Sequence, residues 1–76
     1  MSNYLNYIGQ NLSETMAKML FPGEWILGEA VGMGKKDLIL KILAVADSKA
    51  GVMNLFNELT QKYPERRLVV ISDKKK

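Results

Sequence analysis

The feature that most constrains this chain is an apolar run at residues 38–46, which contains a single charged side chain, Lys41. Such a run, bounded by aspartates, is typical of a strand with both faces covered. Residues 48–63 repeat apolar side chains at helical spacing, and residues 68–71 form a second short apolar run. Together these segments predict a strand-helix-strand unit that closes as a right-handed crossover between parallel strands.

The first half of the chain predicts a helix and a strand. Apolar residues at three- and four-residue steps indicate an amphipathic helix over about the first twenty residues, ended by Phe21-Pro22-Gly23. Gly9 interrupts the pattern, so a helix that is firm only from Ser13 is the alternative. Residues 24–31 predict a short strand. Residues 32–36 have the length and composition of a hairpin loop, so the strand at 37–45 should pair antiparallel with it.

The element order is therefore α-β-β-α-β. It predicts a small α+β sandwich, a single domain over residues 1–76, with a three-stranded mixed sheet and a flexible basic tail at 73–76. The alternative is a mostly α fold with one long helix over residues 37–63, because the apolar residues also fit a heptad pattern. The strand is favoured because Asp47, Ser48 and Gly51 suit a helix interior poorly and mark an element boundary well.

Size and composition limit what can stabilise the fold and what chemistry it can perform. A chain of 76 residues buries only about 60% of its unfolded surface. With no cysteine and no histidine, it has no disulfide and no usual structural zinc site. Oligomerisation is the remaining common reinforcement, so we expect a homodimer. Without histidine and cysteine the chain cannot form the common catalytic triads or the usual histidine and cysteine metal sites. We therefore expect no catalytic residue, no metal, no cofactor and no enzyme activity.

The N-terminal sequence does not resemble a secretory signal, and no apolar run is long enough to span a bilayer. We therefore expect a cytoplasmic protein without a membrane partner.

Basic residues suggest the leading functional hypothesis. Eleven Lys and Arg residues against eight Asp and Glu give a net charge of +3. The exposed basic positions expected in the hairpin loop, the turn before the last strand and the tail are Lys35, Lys36, Arg66, Arg67, Lys74, Lys75 and Lys76. They predict a non-enzymatic regulatory or binding protein that contacts DNA, RNA or another anionic partner. Tyr4, Tyr7 and Trp25 are candidates to stack on bases. Solvated turns and a solubilising tail are the alternative interpretation.

Apolar residues suggest a second function class. Trp25, followed by Ile26 and Leu27, and Met33 in the predicted loop could form an interface with another protein. The chain would then be a protein-interaction module, such as an inhibitor or assembly factor.

An outside alternative comes from acidic residues around the central apolar run. Asp37, followed by Asp47-Ser48-Lys49, resembles the aspartate and acid-x-lysine motif of restriction-endonuclease-like nucleases over about half of the chain. The resemblance implies a magnesium ion held between two strands and metal-dependent cleavage. However, no turn signal separates the two acids. On one strand they would lie roughly 30 Å apart at ~3.3 Å per residue, too far to share a metal.

Overall fold

The structure is a computed structural model that describes residues 7–72. They form a four-stranded antiparallel sheet and two helices. In chain order the elements are β1 (Asn11–Ser13), α1 (Glu14–Leu20), β2 (Trp25–Met33), β3 (Leu38–Ala46), α2 (Lys49–Lys62) and β4 (Leu68–Ser72). The strand order is β1-β3-β2-β4, and each neighbouring pair is antiparallel. The α+β class is confirmed. The run at 38–46 is a strand, so the alternative of one helix over residues 37–63 is unsupported.

The sheet differs from the three-stranded mixed sheet expected from the sequence. β3 and β4 do run in the same direction, but β2 lies between them and pairs antiparallel with both. The short turn after β2 forces an antiparallel neighbour on one side, and β4 takes the other side. The additional strand is β1, whose residues were predicted to be helical and which instead pairs with residues 39–41 of β3.

Both helices are capped by serines, Ser13 and Ser48, that the sequence places at element boundaries. The Ser13 side chain accepts a hydrogen bond from the Met16 backbone N–H at 3.1 Å, and Ser48 accepts one from Gly51 at 3.2 Å. Such bonds satisfy backbone donors that have no partner within the helix. The first helix ends at Phe21, and Gly23 follows with a φ of 76°, a conformation that favours glycine. The predicted helical segment before residue 7 lies outside the described residues.

The core has two layers because side chains alternate between the faces of each strand. On one face Ile26, Leu40 and Ile42 pack with Ala17 and Phe21, which belong to α1 and its C-terminal end.

The other face lies under α2. Leu27 is fully buried on this face, and Val52 is the buried residue of α2. Gly51 lies against Ala46, whose strand partner Trp25 shares the face of Leu27. The two helices therefore cover opposite faces of the sheet.

Neither helix between residues 7 and 72 has the length and apolar character needed to cross a membrane. The cytoplasmic location stays a prediction.

Two glycines of β2 give a matched test of this packing. A methyl group at Gly28 would lie 3.1 Å from the Lys41 carbonyl oxygen and 3.2 Å from the Leu40 Cβ, whereas one at Gly32 would meet no atom within 4 Å. Because a backbone atom must move, we expect Gly28→Ala to lower the free energy of unfolding by about 1–3 kcal/mol. Gly32→Ala should change it by less than about 0.5 kcal/mol. Urea denaturation followed by tryptophan fluorescence measures both, and equal stabilities would contradict the packing.

Candidate interaction site at the hairpin end of the sheet

β2 extends beyond β4 at the end of the sheet where β2 turns into β3. β4 pairs with β2 from Trp25, opposite Ser72, to Glu29, opposite Leu68. One more hydrogen bond, 2.8 Å long, joins the Ala30 N–H to the Arg67 carbonyl oxygen. Residues 31–33 continue along β3, but no described residue pairs with their other side. This open space beside residues 31–33 is here called the lane.

A groove of about 330 Å³ lies at the lane. The residues that line it are Ala30, Val31, Gly32, Met33, Leu38 and Arg67. Four of its six lining residues have apolar side chains, with Val31 48% exposed and Met33 71% exposed, and the polar part of its surface is nearly as large as the apolar part. Ligand pockets commonly combine apolar walls with a few placed polar groups, and here the Arg67 side chain is the charged group.

The backbone of Met33 points into the lane. The Gly34 N–H donates to the Asp37 carbonyl oxygen at 2.7 Å and closes the turn. In an antiparallel ladder the hydrogen-bonded pairs alternate with pairs whose backbone groups point outward. Met33 and Leu38 are the next pair, so the N–H and C=O of Met33 are directed away from β3. The lane therefore combines apolar side chains with backbone groups able to pair with an added strand.

Four of the seven predicted basic site residues lie at this end of the sheet. Lys35 and Lys36 are exposed in the turn, and neither forms a salt bridge within residues 7–72. Arg67, in the segment before β4, is also exposed and forms no salt bridge within residues 7–72. Arg66 differs, because its Nη1 lies 3.7 Å from Glu29 Oε1 and its guanidinium lies 4.7 Å from the centre of the Tyr63 ring. Arg66 is thus partly neutralised.

The remaining predicted site residues are elsewhere or outside the description. Ser72 pairs with Trp25, so the described chain ends at the opposite end of the sheet from the turn. Lys74, Lys75 and Lys76 lie outside the described residues, and so does Tyr4. Trp25 is half-buried, with the Lys49 ammonium 5.7 Å from its ring centre. Trp25 and Met33 therefore stand at opposite ends of β2 and do not form one surface.

The Tyr7 ring also has a neighbour in the core. It meets Phe21 edge to face, with ring centres 5.5 Å apart. This contact suits a packing role, so the structure offers no exposed stack of rings within residues 7–72. Contact with nucleic acid stays a prediction.

Asp37 ties the turn to the start of α1. Its Oδ2 accepts a 2.8 Å hydrogen bond from the Thr15 backbone N–H and a second from the Thr15 hydroxyl. The hydroxyl bond, followed by the backbone bond, lowers the pKa of Asp37 below its ordinary value. A carboxylate from another element thus caps this short helix and positions the turn that carries Lys35 and Lys36.

The acidic residues of the nuclease-like motif are not brought together. Asp37 and Asp47 flank β3 at its two ends, and the nine-residue strand separates them. No group of three or more acidic, cysteine or histidine side chains in the described part of the chain could hold a metal ion. The geometry therefore gives no support to the magnesium site that the resemblance implies.

Sequence reasoning identified Met33 and Arg67 but missed Ala30, Val31, Gly32 and Leu38. A signal was present in the lengths of the predicted strands, since the strand at 24–31 is about twice as long as the one at 68–71. A long strand beside a short one must leave part of its edge unpaired.

Comparison with models of known protein families, with curated protein sequences and with solved structures found no significant match. We therefore infer the function from the geometry of the site.

The bond between Thr15 and Asp37 predicts a pH dependence. Thr15→Val removes the hydroxyl donor, so the pKa of Asp37 should rise towards the ordinary aspartate value. Because the folded-state pKa is lowered, the stability that the bond provides is present above about pH 4 and is lost as the pH falls through the folded-state pKa. Carbon-13 NMR titration of the Asp37 carboxyl measures the shift.

Thr60→Val is the matched control, because the Thr60 hydroxyl donates to the Phe56 carbonyl oxygen, outside this contact. An unchanged Asp37 titration in Thr15→Val would contradict the assigned cause.

Proposed function

We propose that this protein is a non-enzymatic interaction module that binds an extended, acidic and apolar segment of another protein in the lane beside residues 31–33. The proposal is supported by three features at one place: an edge of β2 that no described strand pairs with, a groove lined by Val31, Met33 and Leu38, and a cation, Arg67, that forms no salt bridge within residues 7–72. Extended peptides commonly bind by adding a strand to an open sheet edge, where backbone bonds supply affinity and adjacent pockets supply specificity.

The length of the lane sets the form of the ligand. β4 leaves the side of β2 after Ala30, so an incoming strand would occupy the position that β4 vacates and pair with the backbone of Met33. Its side chains would alternate between the two faces of the sheet. Those on the groove side would contact Met33 and Leu38, so an apolar residue at alternate positions fits best.

The charges at the same end set the chemistry of the ligand. Arg67 lines the groove, and Lys35 and Lys36 occupy the adjoining turn. A guanidinium binds a carboxylate with two parallel hydrogen bonds, which a lysine cannot match. A glutamate or aspartate next to the apolar positions would therefore be favoured, and a lysine there would be repelled.

Nucleic acid or another anionic polymer is the second candidate ligand. The observation that favours it is that Lys35, Lys36, Arg66 and Arg67 lie at one end of the sheet, where they could contact successive phosphates. The contact of Arg66 with Glu29 weakens this candidate. Binding through phosphates would fall steeply with salt and would depend little on Met33.

Fluorescence anisotropy with a labelled peptide of alternating valine and glutamate tests the proposal. We expect saturable binding to the full chain and much weaker binding of an alternating valine and lysine peptide. Met33→Glu and Arg67→Glu should each weaken binding about tenfold or more, because they place a carboxylate in the groove. Met19→Glu is the matched control, since Met19 is 70% exposed but lies on α1 and does not line the groove.

A twelve-residue oligothymidine is the competing probe. Tight, salt-sensitive binding of the oligonucleotide without peptide binding would replace the proposal with the second candidate. Equal loss of peptide binding in Met19→Glu and Met33→Glu would place the site elsewhere.

A further inference from the structure

We infer that β4 is the interface of a homodimer, in which two copies of this chain pair their β4 strands antiparallel about a two-fold axis at Val70. This inference concerns the outer edge of β4 and does not depend on the function proposed for the lane.

The ladder between β2 and β4 determines which backbone groups point outward. The Ala30 N–H donates to the Arg67 carbonyl oxygen, so Arg67 is directed towards β2. Because directions alternate along a strand, Val69 and Ile71 also point towards β2. Leu68, Val70 and Ser72 are then directed to the outer side. β4 is the last strand of the sheet, and no described strand lies beyond it.

Within Leu68–Ser72 the edge carries no charged residue, proline or bulge, the features that usually prevent edge-to-edge pairing. Monomeric proteins protect such edges with charged residues, prolines, bulges or very short strands. β4 reads Leu-Val-Val-Ile-Ser, pairs with β2 without a register shift, and keeps all five side chains only half-buried. The other end strand, β1, has just three residues. The β4 edge is therefore the open edge best suited to accept another strand.

The strand is complementary to a second copy of itself. With the axis at Val70, Val69 lies opposite Ile71 of the partner subunit, and both face the side of α1. Val70 lies opposite Val70 of the partner subunit on the other face, with Leu68 opposite Ser72 of the partner subunit. Val70 is a position whose backbone N–H and C=O point outward, so at the axis each copy supplies the donor and the acceptor that pair with those of the other.

The contact uses the same patch on both copies, so it closes as a dimer instead of growing into a fibre. A second copy of the chain can therefore supply hydrogen-bond partners for the outward backbone groups of β4, and no different protein is required.

Sedimentation equilibrium of the full chain over a range of concentrations tests the association. We expect a limiting mass of twice the 8.6 kDa of the monomer. A monomer mass up to millimolar concentration would overturn the inference. Met33→Glu, which alters the lane, should leave the dimer mass unchanged, so failure of the dimer and failure of the proposed peptide binding can be told apart.

NMR of a sample mixing isotope-labelled and unlabelled protein identifies the interface. Val69 and Ile71 form a pair without hydrogen bonds, in which Cα atoms approach to about 4.5 Å. We therefore expect an intermolecular cross-peak between their Hα protons. A dimer without this cross-peak would overturn the assignment to β4.

Val70→Pro supplies an independent variant, because it removes an outward N–H and leaves the ladder with β2 intact. We expect it to weaken dimerisation about tenfold or more, with the fold checked by circular dichroism. A folded variant that dimerises as tightly as the wild type would contradict the inference. If the variant does not fold, the mass and the cross-peak of the wild-type protein decide.

Discussion

β2 lies between two strands that pair with unequal lengths of it, and this inequality determines where the sheet is closed and where it is open. β3 accompanies β2 along its whole length, whereas β4 accompanies it only as far as Glu29, with one further bond at Ala30. Backbone groups in a sheet need partners or solvent, so the place where β4 stops becomes an exposed edge. Within residues 7–72, β2 is thus paired on both sides at its Trp25 end and on one side at its Met33 end.

The helices make this opening possible because each covers a limited part of the sheet. α1 has seven residues and α2 has Val52 as its buried residue, so much of the apolar area is only half-covered. The bond from Thr15 to Asp37 compensates at one point by fixing the start of α1 to the turn after β2. A small domain whose apolar residues are only half-buried gains stability when a partner covers its sheet edges. This agrees with both the peptide site in the lane and the dimer through β4.

The sequence predicts local structure well and sheet pairing less well. Ser13, Ser48 and the Phe21-Pro22-Gly23 stop act on their own helix ends, so they could be recognised without knowing the fold. The order of strands depends on contacts between distant segments, and the expected parallel pairing failed because β2 took the place beside β4. Met33 was predicted as an interface residue in a loop, whereas it is the last residue of β2. The groove beside it was not predicted, because it forms where the neighbouring strand β4 ends.

Amide hydrogen exchange of the free protein shows whether β2 is open beside residues 31–33. We expect slow exchange for Ala30, whose N–H bonds to Arg67, and fast exchange for Met33, whose N–H points into the lane. The two residues lie on the same strand, so the comparison controls for global unfolding. If the Met33 amide were as protected as that of Ala30, β2 would be paired on both sides along its whole length. The open edge, and the function proposed from it, would then be contradicted.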